Sequence, residues 1–301
     1  MMDAVEAYLC LRRTAGFAMS NVQYLLLSFA RFAEARGEQH VRTTTLIDWA
    51  SQGPSVAQRH ARYQAVCTFA RHLFLDDPCH ELPPPNYFGH KKTRRIPHIY
   101  SPAEIGRLVL AAGRLTPGGT LRPQTYANLI SLLAVTGMRV SEALKLRVDD
   151  VTPDGVIIRK TKFQKTRMVP LHDTALAALQ RYMEQRLRMH PGGGHIFVGR
   201  NGQPLSYCAV YPVFATLLKA AGVQAPEGPR LRLHELRHTF AVRALESAPT
   251  GHQRVGRHMV ALSTYLGHVN IEATYWYLQT TPELLVDIAA ASERFFTGSP
   301  S

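Results

Sequence analysis

The stretch Thr136-Gly-Met-Arg-Val-Ser-Glu-Ala-Leu144 stands between two helical readings, one at about 123–136 and one at about 140–147. Arg139 follows Thr-Gly directly and precedes an apolar helix. Alone, an arginine there reads as a surface or helix-start residue. Glu142 reads as structural, supporting the helix start or holding Arg139. Beyond this stretch, Gly155-Val-Ile-Ile-Arg-Lys160, a polar turn and Thr166-Arg-Met-Val-Pro170 read as a β-hairpin. A helix is expected at about 173–189, and Gly192-Gly193-Gly194 after Pro191 reads as a flexible turn. From about 206 to 295 the pattern is mostly helical with short loops.

Toward the N-terminus, Ser101-Pro102-Ala103-Glu104 has the form of a helix start. Ser101 caps, Pro102 suits the first helical position and Glu104 completes a capping box. A second domain is therefore expected over 98–301. Ahead of it, Asp77-Pro78 and Leu82-Pro83-Pro84-Pro85 interrupt any helix. Lys91, Lys92, Arg94 and Arg95 then bring four cations within five positions, which reads as a basic linker over 91–97. It would lie along the phosphates if DNA is the ligand, or serve as a solvated tether if not. Residues 1–90 read as helical. Val22, Leu25, Leu26, Phe29 and Phe32 make one apolar face, and Val56, Tyr63, Val66, Phe69, Ala70 and Leu73 make another. Arg59, His60, Arg62, Arg71 and His72 lie among the latter, as a solvated face or a DNA-facing one.

The charge balance narrows the partners. Lys plus Arg total 35 against 22 Asp plus Glu, a formal net charge of +13 over 301 residues. Such an excess favours a polyanion, nucleic acid first and an anionic membrane surface second. Cys10, Cys67, Cys79 and Cys208 form no C-x-x-C pair, so a zinc ribbon or redox motif is unsupported and reduced thiols in a cytoplasmic protein are expected. No signal peptide, membrane span or internal repeat is read.

Five segments share one chemical theme: the Arg139 stretch, Thr161-Lys-Phe-Gln-Lys-Thr-Arg-Met-Val-Pro-Leu171, His234-Glu-Leu-Arg-His-Thr-Phe240, Leu266-Gly-His268, and Tyr277. Two guanidiniums can hold the nonbridging oxygens of a phosphodiester and neutralise charge in its pentavalent transition state. A phenol can attack phosphorus once its proton is removed. Lys or His can protonate the leaving 5′ oxygen. Within this set Lys162 competes with Lys160 and Lys165, and Tyr277 with Tyr275.

Taken together, these segments resemble the tyrosine recombinase, or phage integrase, family. The resemblance spans nearly the whole chain and is most specific in the second domain. It implies a mainly α fold: an all-α core-DNA-binding domain and a mostly α catalytic domain with a small antiparallel β-sheet, joined by the basic linker into a DNA clamp. It gives Arg139 the first-arginine role and Lys162 the hairpin-lysine role. His234 and Arg237 take the H-x-x-R box, and His268 and Tyr277 the last box, nine residues apart. Phe163 departs from the small residue expected after the lysine. The implied reaction is site-specific recombination through a 3′-phosphotyrosine, with no cofactor, metal or ATP. The implied partner is double-stranded DNA, bound by a homotetramer on two sites and without a membrane. The helix read at Pro282-Glu-Leu-Leu-Val-Asp-Ile-Ala-Ala290 would dock on a neighbouring protomer or on its own domain. With no arm-binding domain read ahead of the first helices, a simple recombinase of a mobile element or similar system, acting on short core sites, is expected.

Two rivals use the same residues differently. A type IB topoisomerase would share the chemistry. His234-Glu-Leu-Arg-His238 also spells the H-E-x-x-H of zinc metalloproteases, with Glu235 to activate water, but the extended form with a third histidine is absent. The protease reading leaves Arg139, the hairpin and Tyr277 unused. Under the recombinase reading, Glu235 and His238 are helix and packing residues.

Overall fold

The computed structural model describes residues 1–89, 96–159, 166–224, 230–247 and 252–267. Chain contacts divide it into two compact units, Met1–Arg95 and Ile96–Ser301.

Unit 1 has four described helices: α1 (Met2–Thr14), α2 (Ser20–Glu34), α3 (Thr43–Ser51) and α4 (Val56–Asp76). Leu26 and Phe29 of α2 meet Trp49 of α3 and Tyr63, Val66, Phe69 and Ala70 of α4 in one buried cluster. Burying each large apolar side chain contributes about 1.5–3 kcal/mol. Val56 departs from the expected stripe: it opens α4 and is 52% exposed, beyond the reach of the core. Two arginines interleaved with that stripe are tied to backbone carbonyls. Arg59 Nε donates to the Gly53 carbonyl at 2.7 Å, and Arg62 Nη1 donates to the Trp49 carbonyl at 3.1 Å while its guanidinium covers the Trp49 ring. They tie α4 to carbonyls at and just beyond the end of α3. The four basic linker candidates, Lys91, Lys92, Arg94 and Arg95, lie outside the described residues.

Unit 2 opens with α5 (Pro102–Gly113), whose capping box is formed in both directions: Ser101 Oγ accepts from the Glu104 N–H at 3.2 Å, and Glu104 Oε2 accepts from the Ser101 N–H at 2.8 Å. Next come α6 (Arg122–Thr136) and α7 (Val140–Ala143), a 3₁₀ turn (Val148–Asp150), strands β1 (Val151–Thr152), β2 (Gly155–Ile158) and β3 (Arg167–Pro170), and helices α8 (Asp173–Met189), α9 (Tyr207–Ala220), α10 (Glu235–Glu246) and α11 (His252–Leu266). The strands form one antiparallel sheet in the order β1-β2-β3, with Val156 opposite Val169 and Ile158 opposite Arg167. The expected hairpin is thus β2–β3, extended by the two-residue β1.

Helix α6 packs against α5, α8 and α10, and its Leu129, Ile130 and Leu133 lie in the main core. A second cluster joins Ala241, Val242 and Leu245 of α10 to Met259, Leu262 and Leu266 of α11.

Two local expectations are corrected. The helix read at about 140–147 ends at Ala143, because the backbone of 146–148 bonds to a distant segment instead: Ile196 N–H donates to the Leu146 carbonyl and Val148 N–H to that of Gly194. The triple glycine is not a loose turn. Arg186, fully buried, donates to the carbonyls of His190, Gly192 and Gly193 at 2.8–3.0 Å.

Candidate functional site

The site is assembled where α6 ends. Gly137 stops the helix with φ +59°, a conformation that strains any residue bearing a Cβ. A Cβ there would also lie 2.4 Å from Phe240 Cδ1 of α10. Phe240 in turn stacks on Tyr265 of α11 at 5.4 Å. The bare glycine therefore lets the ends of α6 and α11 close on α10.

Arg139 follows two residues later, about a third exposed. Its N–H donates to Glu142 Oε2 at 2.9 Å and its Nη1 to Glu142 Oε1 at 2.8 Å. Glu142 thus does both things expected of it, and a third that was not. Its buried carboxylate also receives Arg167 Nη1 at 3.2 Å and Nη2 at 2.8 Å. Burial alone would raise the Glu142 pKa, but the hydrogen bonds from Arg167 and from the Arg139 N–H outweigh it and hold the pKa below the ordinary range.

Arg237, on the first turn of α10, is 2% exposed. Its Nη1 donates to the Gly137 carbonyl and its Nη2 to the Leu266 carbonyl, both at 2.7 Å. His234 is the residue at the N-cap of α10, in helical conformation, so it shares a face with Arg237. Its ring meets His238 edge-on at 4.9 Å. The imidazole pKa is pushed down to about 4 by desolvation, then by the charges of Arg237, Arg139 and Arg232. More than a third of the residue is open to solvent, yet crowding by the site and three guanidiniums act in the same direction. A neutral ring at pH 7 follows.

The C-terminus of α11 unites these groups. The last carbonyls of a helix have no helical donors and carry the negative end of its dipole. Here three guanidiniums take three successive carbonyls: Arg167 Nε donates to Tyr265 at 2.9 Å, Arg237 Nη2 to Leu266 at 2.7 Å, and Arg139 Nη2 to Gly267 at 3.3 Å. The next residue in the chain is His268. Arg139, His234 and Arg237 are therefore brought to one place. Lys162, His268 and Tyr277, together with their competitors Lys160, Lys165 and Tyr275, lie outside the described residues.

Sequence reasoning missed Arg167. A signal was present: β3 turns Val169 into the core, and Arg167 shares that strand face, so a charge stands at an inward position. Thr239 was also missed. Its hydroxyl accepts the Tyr100 N–H at 2.9 Å and so ties the start of the unit to α10.

The zinc-protease geometry is not assembled among the described residues. Glu235 accepts the Arg232 N–H at 2.9 Å as a helix-start carboxylate. The grouping with metal-ligand chemistry lies elsewhere, at His40, Asp77 and Cys79 of unit 1, whose ligand atoms fall within 4.8 Å of one another. Asp77 there already accepts from the Cys79 N–H at 2.9 Å and meets His40 Nε2 at 3.1 Å. No described helix is long and apolar enough to cross a membrane.

Known proteins carry the same architecture. An integrase/recombinase of Sinorhizobium fredii, y4rB, is 36% identical, over 97% of this chain and 96% of its own length. The tyrosine recombinase XerD of Listeria innocua is 29% identical over 76% of this chain and 73% of its own length. Among solved structures, the Tn1549 transposon integrase in complex with transposon right end DNA superposes with a TM-score of 0.64 at 18% identity, covering 98% of this chain and 99% of that one. The XerH site-specific recombinase bound to its difH substrate also reaches 0.64, at 19% identity, over 91% of this chain and 79% of that one. The family model for the phage integrase family matches residues 120–283, which include every element that meets in the arginine-capped turn. The chain belongs to the phage integrase family, the tyrosine recombinases.

Proposed function

We propose that this site-specific recombinase cleaves and rejoins double-stranded DNA through a 3′-phosphotyrosine formed on Tyr277. The observation that carries the reading is the convergence of Arg139 and Arg237 on one turn, with a neutral His234 within reach of both their charges. In the proposed step, Arg139 and Arg237, assisted by His268, hold the scissile phosphate and neutralise its developing charge. Tyr277 Oη attacks phosphorus and the bond to the 5′ oxygen breaks. Lys162 gives its proton to that oxygen, and His234, uncharged, accepts the proton of the phenol. A 5′ hydroxyl then attacks the phosphotyrosine, releases the phenol and reseals the strand. The phosphoester energy is kept in the covalent link, so the chemistry calls for neither ATP nor a metal ion.

The finer assignments belong to the same proposal. Unit 1 is the core-DNA-binding part, Lys91, Lys92, Arg94 and Arg95 are linker cations on the phosphates, and four protomers act on two sites. A mobile element is the setting favoured, since one superposed structure is a transposon integrase. A cytoplasmic location goes with the DNA substrate.

The test uses DNA that the protein itself selects from a random-sequence duplex pool, nicked so that cleavage is irreversible. The wild type traps a covalent adduct; Tyr277→Phe binds the DNA and traps none. Loss of the adduct in Tyr275→Phe instead, with Tyr277→Phe active, moves the nucleophile by two residues.

A further inference from the structure

Arg167 has no part in the reaction as written above, yet its guanidinium makes three hydrogen bonds beside it. It sits on the inward face of β3 at 14% exposure, forks both Nη groups onto Glu142, and donates Nε to the Tyr265 carbonyl. Glu142 in turn holds the Arg139 side chain and backbone. The guanidinium also fills the space where Gly267 lacks a side chain: a Cβ on Gly267 would lie 2.9 Å from Arg167 Nη1 and 3.1 Å from its central carbon. One planar group therefore touches the strand that follows Lys162, the carboxylate that aims Arg139, and the turn that leads into His268.

We propose that Arg167 is a positioning residue for strand cleavage, keeping Arg139 and the Tyr265–Gly267 turn in one fixed relation to the β2–β3 hairpin. The inference rests on Arg139 binding the scissile phosphate. A lysine cannot replace the fork, because an ammonium lacks the planar pair of donors that matches a carboxylate while a third donor reaches Tyr265.

The experiment measures the single-turnover rate of adduct formation at saturating DNA for wild type, Arg167→Lys and Arg139→Ala. Two nicked substrates of the selected sequence are compared, one with a normal scissile phosphate and one with a neutral methylphosphonate there. Misplacing Arg139 by a fraction of its reach should slow Arg167→Lys about 100-fold on the phosphate, with DNA affinity within about threefold of wild type. On the methylphosphonate, which carries no charge for Arg139 to neutralise, the defects of Arg167→Lys and Arg139→Ala should shrink together to less than about tenfold. An equal defect of Arg167→Lys on both substrates, as general loosening of the fold produces, overturns the proposal, and so does a phosphate rate within about threefold of wild type. If Arg167→Lys does not fold, Glu142→Gln breaks the same bridge from its other side and is judged by the same comparison. A wild type that forms no adduct at all defeats the underlying reading as well, whereas an active wild type with an indifferent Arg167 defeats this inference alone.

Discussion

Replacing Glu142 by alanine should destabilise unit 2 by about 3 kcal/mol, near the lower end of the range for breaking a buried ion pair. Glu142 is 8% exposed and accepts four hydrogen bonds, three of them from guanidinium nitrogens. Its removal leaves Arg167, 14% exposed, beside Arg139 with no anion between them. Arg139 is open enough to regain water, which keeps the cost from the upper end. For a unit of this size the loss corresponds to a fall in Tm of roughly 6–12 °C at neutral pH. Thermal unfolding at several pH values is the assay, with Asp149→Ala, an exposed carboxylate, as the control for net charge. The sign with pH is determined. The native-state pKa of Glu142 lies below its ordinary 4.5, so the unfolded chain binds its proton first as pH falls. The gap between wild type and Glu142→Ala is full above pH 4.5 and closes as pH falls through the depressed native value. A Tm within about 2 °C of wild type at pH 7 would refute the keystone role of this carboxylate.

Gly137→Ala forces a Cβ into φ +59° and against Phe240, and should cost about 2 kcal/mol or more by urea unfolding; an unchanged midpoint means the closure of α6 on α10 is misread. Arg186→Ala removes a fully buried side chain and its bonds to three loop carbonyls and should cost about 3 kcal/mol, with new protease cleavage near residues 190–194; resistance equal to wild type contradicts it. In the free protein the His234 ring should titrate near pH 4 by NMR, and a bound phosphate should raise that value by opposing the three guanidiniums; a midpoint near 6.5 in the free protein removes the neutral-imidazole argument.

Features set by residues close in the chain could be read in advance. The apolar faces of α2 and α4 follow helical spacing, and the Ser101–Glu104 box closes over three residues. The ends of the hairpin are marked by Gly155 and Pro170. Features that depend on partners far along the chain were hidden. The three carbonyls at the end of α11 are capped across 98, 29 and 128 residues, and no local pattern announces which arginine takes which carbonyl. Arg59 and Arg62 read only as charges among an apolar stripe, because charge spacing does not say that each side chain folds back onto a nearby backbone carbonyl. Arg139, His234 and Arg237 were singled out by resemblance and by the chemistry of phosphate transfer; their convergence is a property of the fold. The choice of Lys162 over Lys160 and Lys165, and of Tyr277 over Tyr275, still rests on spacing.

The proposed reaction turns on a covalent bond between DNA and one tyrosine. Wild-type protein is trapped on the nicked duplex it selects, the DNA is digested to a residual nucleotide, and the modified peptide is fragmented by mass spectrometry. A 3′-linked nucleotide on Tyr277 and a free 5′ hydroxyl on the released strand are expected. A nucleotide on Tyr275, a 5′-linked adduct, or cleavage that leaves no covalent peptide would contradict the proposed reaction.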